Sequence, residues 1–506
     1  MGQILHEILS LHGILALLLG TVAGLFLGAL PGIGPAVGIA LLLPLSFYLP
    51  VGDALLFYVS LYQAAEYGGS ITAIAFATPG SPNSAATIPD GYGMTKRGQP
   101  GKAFSYSLWS AIFGSYVGIA GLFALTMPIS AVALALGSPE FAALGVFALA
   151  AISSLTAKAP LEGLTSAVLG LLFSTVGLDL VTNTPRFTFG SVSLSDGVSI
   201  LPALVGLFAI AEALRLLSAK SSNLVSNDAK DPGRYRVWLS WKEFRAVLPT
   251  TIMGSVVGFF FGLLPGLSGS VPPWITYNIA RSASKRPEEF GTGIPEGIVA
   301  PEATNAAVMH STLIPMLTLG IPGTPTSAII MGAMMIGGLA PGPLLMTNNA
   351  NIVYELFFGL IISTAALWIL GLATTRLWVR TLSIPRRPLA IGILVLCIFG
   401  SFVQKSNPFH IVLAFFFGVL GYVMDRFGFS VPAMILGLII GPIIESNLRR
   451  ALYVSDGSFM PFVQSPIALV FLIASVLVVI LGIVQQRRLR EKASKKLVSV
   501  NLLNRA

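Results

Sequence analysis

Two glutamates stand inside apolar sequence, Glu66 in "LYQAAEYGGS" and Glu302 in "IVAPEATNAAVMH". A carboxylate in such surroundings is costly, and the chemistry open to it is to bind a cation or to carry a proton. Each precedes a polar Pro-Gly turn. "YGGSITAIAFATPGSPNSAATIPDGYG" sets Ser70, Thr72, Thr78, Ser81, Asn83 and Ser84 around Pro79-Gly80. "STLIPMLTLGIPGTPTSAII" sets Thr318, Gly320, Thr324, Thr326 and Ser327 around Pro322-Gly323. Hydroxyls, amides and open helix N-termini with no carboxylate beside the turn suit an anion. Asn305 both donates and accepts, so it suits substrate or ion. Glu66, Asn305, Thr318 and Glu302 are the candidate cation ligands, with sodium possible and no transition-metal pattern. Polar turns at a membrane surface would show the same residues, and spacing alone does not choose. Glu296 and Glu140 lie beside prolines at segment ends and read equally as loop-paired carboxylates, while a lone histidine such as His310 is more often a satisfied hydrogen-bonding group. Lys158 and Asp179 stand isolated.

The elements that position these residues must be membrane helices. With 54% hydrophobic and 10% charged residues and a mean hydropathy of +0.83, the chain exceeds what a soluble core requires. Apolar runs of about 17–25 residues, long enough to cross a bilayer as helices, recur to about Gln485. An all-α polytopic protein of about twelve or more spans is predicted. Dispersed glycine and proline point to broken or re-entrant helices, since neighbouring helices can satisfy the backbone groups a break frees.

The chain repeats itself. "GTVAGLFLGALPGIG" from Gly20 returns as "GSVVGFFFGLLPGLS" from Gly254, aligning Gly20, Gly24 and Gly28 with Gly254, Gly258 and Gly262, and Pro31-Gly32 with Pro265-Gly266. Glycines four apart let helices approach closely, and the Pro-Gly that follows, with Gly34, predicts a helix break. The turns at Thr78 and Ile321 are a second echo. "PALVGLFAIAE" near Glu212 and "PAMILGLIIGPIIE" near Glu445 are a third. Three echoes in order imply a duplication, with a first transmembrane repeat over 1–217, a linker over 218–245, a second repeat over 246–455, and an extra helix with a basic tail over 456–506. The linker carries six Lys or Arg and reads as cytoplasmic. Only the second glycine motif follows a basic loop, which suggests an inverted repeat, although Arg449 and Arg450 then fall on the non-cytoplasmic side. The clusters "MTKRGQPGK" and "RSASKRPEEFG" read as loop anchors.

Several classes are excluded or disfavoured. The phosphate loop, HExxH helix, GxSxG elbow and cysteine cluster are all missing, and Cys397 alone supports neither a disulfide nor zinc. The net charge of +9 is spread over loops and tail, which reports orientation rather than nucleic-acid binding. No cofactor is expected. "MGQILHEILSLHG" lacks the positive region of a cleaved signal peptide. A membrane transferase ranks lower for want of a polar extramembrane cluster, and a non-transporting sensor is not separable from a carrier by sequence.

"GALPGIGPAVGIALLLPLSF", the first polar turn with its flanks, "FGTGIPEGIVAPEATNAAVMHSTLIPMLTLGIPGTPTSAII" and "GLAPGPLL" resemble the large membrane subunit of tripartite tricarboxylate transporters across nearly the whole chain. The resemblance implies a multi-pass secondary carrier of a bacterial inner membrane, driven by sodium or protons. It also implies a citrate-like or related di- or aromatic carboxylate as substrate, with a periplasmic solute-binding protein and a small membrane subunit as partners. The segment "LSGSVPPWITYNIA" and the pair Thr304-Asn305, where two asparagines are frequent, depart from the family pattern.

Overall fold

The computed structural model describes residues 6–30, 32–156, 160–179, 182–219, 237–265, 269–379, 385–403 and 406–503. Pro31, Gly266, Lys158 and most of the 218–245 linker lie outside the described residues. In chain order the main helices are α1 (Leu11–Gly28), α2 (Gly34–Leu42), α3 (Val51–Phe76), α4 (Ile88–Lys96), α5 (Pro100–Leu134) and α6 (Ser138–Thr156). Then come α7 (Pro160–Ser174), α8 (Ile200–Ser218), α9 (Trp241–Gly262), α10 (Val271–Ala283), α11 (Glu296–Ser311) and α12 (Leu313–Leu319). The chain continues through α13 (Pro325–Ile336), α14 (Ala350–Val379), α15 (Arg386–Val403), α16 (Pro408–Arg426), α17 (Val431–Val454) and α18 (Pro466–Leu503). One two-residue hairpin, β1 (Gly177–Leu178) with β2 (Pro185–Arg186), interrupts the helical pattern.

Among the described residues eight helices are long and apolar enough to cross a membrane, and four shorter apolar helices accompany them. The sequence reading expected about twelve spans. Part of the difference lies at the polar positions: α3 has 26 residues but carries Asp53, Gln63 and Glu66, and α11 stops at Ser311 before α12 begins.

Packing divides the chain into two compact units. Met1–Ala135 and Ser199–Tyr422 form one; Leu136–Val198 and Val423–Ala506 form the other. These units are not the linear halves: the first half gives only 136–198 to the second unit and returns to the first at Ser199, and the second half joins the second unit from Val423.

In the first unit the glycine motifs act as contact ladders. Gly20, Gly24 and Gly28 of α1 face the carbonyls of Phe57, Leu61 and Ala65 on α3, where a Cβ would collide with backbone. Gly254, Gly258 and Gly262 of α9 meet Ala300, Thr304 and Val308 of α11 in the same way. Both ladders end in a stop. α1 ends at Gly28 and the chain re-enters helix at Gly34, with Gly32 at φ 87° and Gly34 at φ 47°. α9 ends at Gly262, with Pro265 just beyond.

The second unit packs α7 against α17 through Gly170 and Gly437, each apposed to the other helix's backbone. The hairpin is tied to α17 by ions. Arg186 donates to both oxygens of Glu445 at 2.7 and 3.2 Å, Arg449 reaches Asp179 at 2.9 Å and Glu445 at 2.9 Å, and Arg186 lies 3.2 Å from Asp179. The hydrogen bond to Glu445 raises the Arg186 pKa above the ordinary guanidinium value. Asp179 is therefore not isolated. Its partners Arg186 and Arg449 are brought to it by the hairpin and by a helix 270 residues further on, out of reach of sequence spacing.

Candidate functional site

The site is built where α3 and α11 carry their polar residues past the two Pro-Gly turns, within the first unit. α3 ends at Phe76 with Ala77 in the left-handed region at φ 54°, and α12 ends at Leu319 with Gly320 at φ 70°. After Pro79-Gly80 and Pro322-Gly323 the backbone becomes extended, at φ −128° and ψ 157° for Ser81 and φ −133° and ψ 161° for Thr324, and a new helical turn begins at Pro82 or Pro325. Proline suits that first helical position because its missing N–H is not needed there. Ser84 and Ser327 hydroxyls accept from the N–H of Ser81 and Thr324 at 3.4 and 2.9 Å. The Gly80 amide donates to the Gly69 carbonyl at 3.1 Å, fixing the first turn on α3, and a Cβ at Gly80 would strike the Gly28 carbonyl.

Glu66 is 5% exposed and accepts three hydrogen bonds: Ser81 Oγ at 3.2 Å, Asn83 Nδ2 at 3.1 Å and Asn305 Nδ2 at 3.1 Å. Glu302 is 3% exposed and accepts from Thr87 Oγ1 at 2.5 Å and Ser107 Oγ at 3.0 Å. Ser70 lies beside Glu302, but its buried hydroxyl has no hydrogen bond of acceptable geometry. Buried carboxylates held by several donors are stable as anions only while those donors stay in place.

Both carboxylates line one cavity of about 10 Å³, together with Gln63, Ser115, Asn305 and Met309. That is room for roughly one water molecule or one unhydrated cation. Gln63 is fixed from three sides, donating to Thr364 at 2.7 Å and Ser115 at 3.3 Å and accepting from Ser363 at 2.9 Å.

Of the sequence candidates, Glu66, Glu302 and Asn305 meet at this cavity. Thr318 does not line it, and its hydroxyl donates to the Ile314 carbonyl at 2.8 Å. Ser81 and Asn83, which the sequence assigned to substrate, direct their donors at Glu66. Thr72 and Thr78 donate to the Gly69 and Phe76 carbonyls, each at 3.2 Å. Thr324 donates to Ser327 Oγ at 3.0 Å, Thr326 is buried, and Tyr62 of α3 places its hydroxyl 3.4 Å from Thr324 Oγ1. His310 is buried with Nδ1 at 2.8 Å from the Ala306 carbonyl.

The sequence reading passed over Gln63, Thr87, Ser107, Ser115, Tyr62 and Asp90. Gln63 and Tyr62 could have been found as polar groups one turn before Glu66 on the same helix. Thr87, Ser107 and Ser115 carry no such signal, because a hydroxyl in a membrane helix usually bonds its own backbone. Asp90, in "TIPDGYG", is fully buried and receives the N–H groups of Gly291, Gly293 and Ile294 at 2.8–2.9 Å and the Tyr277 hydroxyl at 2.9 Å. It clasps the segment after the first turn to the segment before α11.

One offset of 243 residues relates Ser81 to Thr324, Asn83 to Thr326, Gln63 to Ala306 and Glu66 to Met309. It also relates the ladder acceptors Phe57, Leu61 and Ala65 to Ala300, Thr304 and Val308. The cavity lies between equivalent positions that carry unlike side chains.

The model of the tripartite tricarboxylate transporter TctA family matches residues 14–436. A curated Agrobacterium vitis protein, described as an uncharacterised 52.8 kDa protein in the TAR-I ttuC' 3' region, is 36% identical over 475 residues, covering 93% of each chain. Another from that organism, described as an uncharacterised protein in the TAR-II ttuC' 3' region, is 36% identical over 231 residues, 46% of this chain and 96% of its own length. No solved structure matches.

Proposed function

The chain belongs to the tripartite tricarboxylate transporter TctA family, a family of transporters and not of enzymes, and from that premise we propose that it is a cation-coupled carboxylate symporter. Its substrate is a citrate-like tricarboxylate or a related di- or aromatic carboxylate, and its coupling ion is sodium or a proton. The observation that carries this reading is the cavity of about 10 Å³ into which Glu66, Glu302 and Asn305 all face beside the first turn. Two carboxylates in so small a space repel each other unless a cation or proton lies with them. Filling the cavity would therefore stabilise the turn that Glu66 holds through Ser81 and Asn83.

The coupling cation would sit on Glu66, Glu302 and the Asn305 amide, and the substrate on hydroxyls and helix N-termini at the Pro-Gly turns. Movement of one part of each repeat against the rest would expose the site alternately to each face. The paired glycine ladders support a duplication and, with the charge pattern of the loops, an inverted one. About twelve spans in a bacterial inner membrane, with linker and tail cytoplasmic, fit this scheme. A periplasmic solute-binding protein would deliver substrate, and a small membrane subunit would complete the carrier.

Reconstitution tests the reading. The full chain with its binding protein and small subunit, in proteoliposomes under an inward sodium or proton gradient, should accumulate a labelled carboxylate and stop when the gradient is collapsed. Uptake indifferent to both gradients for citrate, succinate and phthalate would overturn it.

A further inference from the structure

The two turns share backbone, capping serine and following proline, but among the described residues a carboxylate is held at the first turn and none at the second. Ser81 Oγ and Asn83 Nδ2 donate to the two oxygens of Glu66, at 3.2 and 3.1 Å. Their equivalents at the second turn are Thr324 and Thr326. The equivalent of Glu66 is Met309, which offers no acceptor of that kind.

In place of a carboxylate the second turn meets a donor. Tyr62 is 2% exposed, and its hydroxyl stands 3.4 Å from Thr324 Oγ1, with Thr326 also adjacent. An ordinary O–H···O bond is about 2.7–2.8 Å, so the phenol proton is only loosely committed. The Thr324 proton goes to Ser327 Oγ at 3.0 Å, whereas the Ser81 proton goes to Glu66. One bond rotation would turn it towards an incoming acceptor. α13, which starts at this turn, has 12 residues, long enough for its N-terminus to favour negative charge.

We propose that the second turn alone receives the substrate carboxylate, on the hydroxyls of Thr324, Thr326 and Tyr62, and that Glu66 occupies the first turn in the same manner. This rests on the carboxylate symport reading and divides its two cargoes: the first turn serves the cation, the second the anion. The Glu66 contacts are then the template for the substrate's: one oxygen on the capping hydroxyl, the other on the side chain two residues later. Tyr62 adds a donor that the first turn lacks, which makes it a specificity-determining residue.

The test is thermal unfolding of the purified full chain in saturating sodium chloride at mildly acid pH, with and without a mixture of citrate, succinate and phthalate. With carboxylate at about ten times the parent's Kd, the carboxylate-induced rise in Tm should fall to about a third in Tyr62→Phe and Thr326→Val, as about tenfold weaker binding requires. Thr326→Ser should restore it. Thr72→Val and Thr78→Val, at the first turn but with hydroxyls committed to backbone carbonyls, should keep the rise. Retention of the rise in Tyr62→Phe and Thr326→Val, or its equal loss in all four variants, would overturn the division between the turns while leaving carboxylate binding intact. No rise in the parent protein would overturn the carboxylate reading itself.

Discussion

The arm formed by α1, α3 and the first turn and the arm formed by α9, α11 and the second turn are packed alike and furnished differently. Each has a glycine ladder against its long helix, a left-handed residue at the helix end, and a proline-started turn capped by serine. The first arm carries Gln63 and Glu66 where the second has Ala306 and Met309. The second carries Glu302 and Asn305 where the first has Val59 and Tyr62. Backbone approach demands glycine in both arms, because any Cβ would meet a carbonyl. Side chains pointing into the space between α3 and α11 are under no such demand. The two arms share one frame, and their polar residues differ wherever that frame is indifferent to the side chain.

Exchanging the unlike residues should show the largest effect. Glu66→Gln should reduce gradient-driven carboxylate uptake by about a hundredfold, since it removes the charge that would hold the coupling cation. Met309→Leu at the equivalent place should change uptake by less than about threefold, as a volume-preserving swap does. Equal losses would mean that the two arms share one chemistry.

The ladders should differ more modestly. An added methyl at Gly28 meets only Ala65 backbone, while at Gly262 it meets the Ser311 hydroxyl, a side chain able to rotate, together with the Val308 carbonyl. Gly28→Ala should cost about 3 kcal/mol of stability, the upper end for overpacking, and Gly262→Ala about 1 kcal/mol. Thermal unfolding of the two variants ranks them, and the reverse order would break the comparison.

Asp90→Asn weakens the clasp that joins the arms, by replacing a carboxylate that receives four donors with an amide. A loss of about 2 kcal/mol is expected, typical of hydrogen bonds to a charged acceptor. Protease sensitivity near Gly291 should rise with it. Arg449→Met, in the second unit, should cost at most about 1 kcal/mol because Arg449 is itself partly exposed to solvent and Arg186 still pairs with Asp179. A larger change in uptake than in stability at Arg449 would place function outside the arms.

Much of the frame was legible in the residues. Fourfold glycine spacing and Pro-Gly stops are local signals, and the helices do end near them. Glu66, Glu302 and Asn305 were legible because an ionisable or amide group in an apolar run has few bland explanations. What the sequence could not show was who faces whom. Ser81 and Asn83 looked like free donors for an anion, and only the fold turns them onto a glutamate 15 and 17 residues earlier. Asp179 looked isolated because one of its two partners arrives 270 residues later in the chain. Tyr62 was passed over, because its relation to Thr324 depends on contact between the two halves.

Counterflow and gradient-driven uptake, measured side by side on Glu66→Gln in proteoliposomes, test the central claim most directly. If Glu66 couples the cation while the second turn holds the substrate, the variant should still exchange labelled carboxylate across the membrane and should no longer accumulate it under a sodium or proton gradient. Accumulation at the parent level would contradict the account.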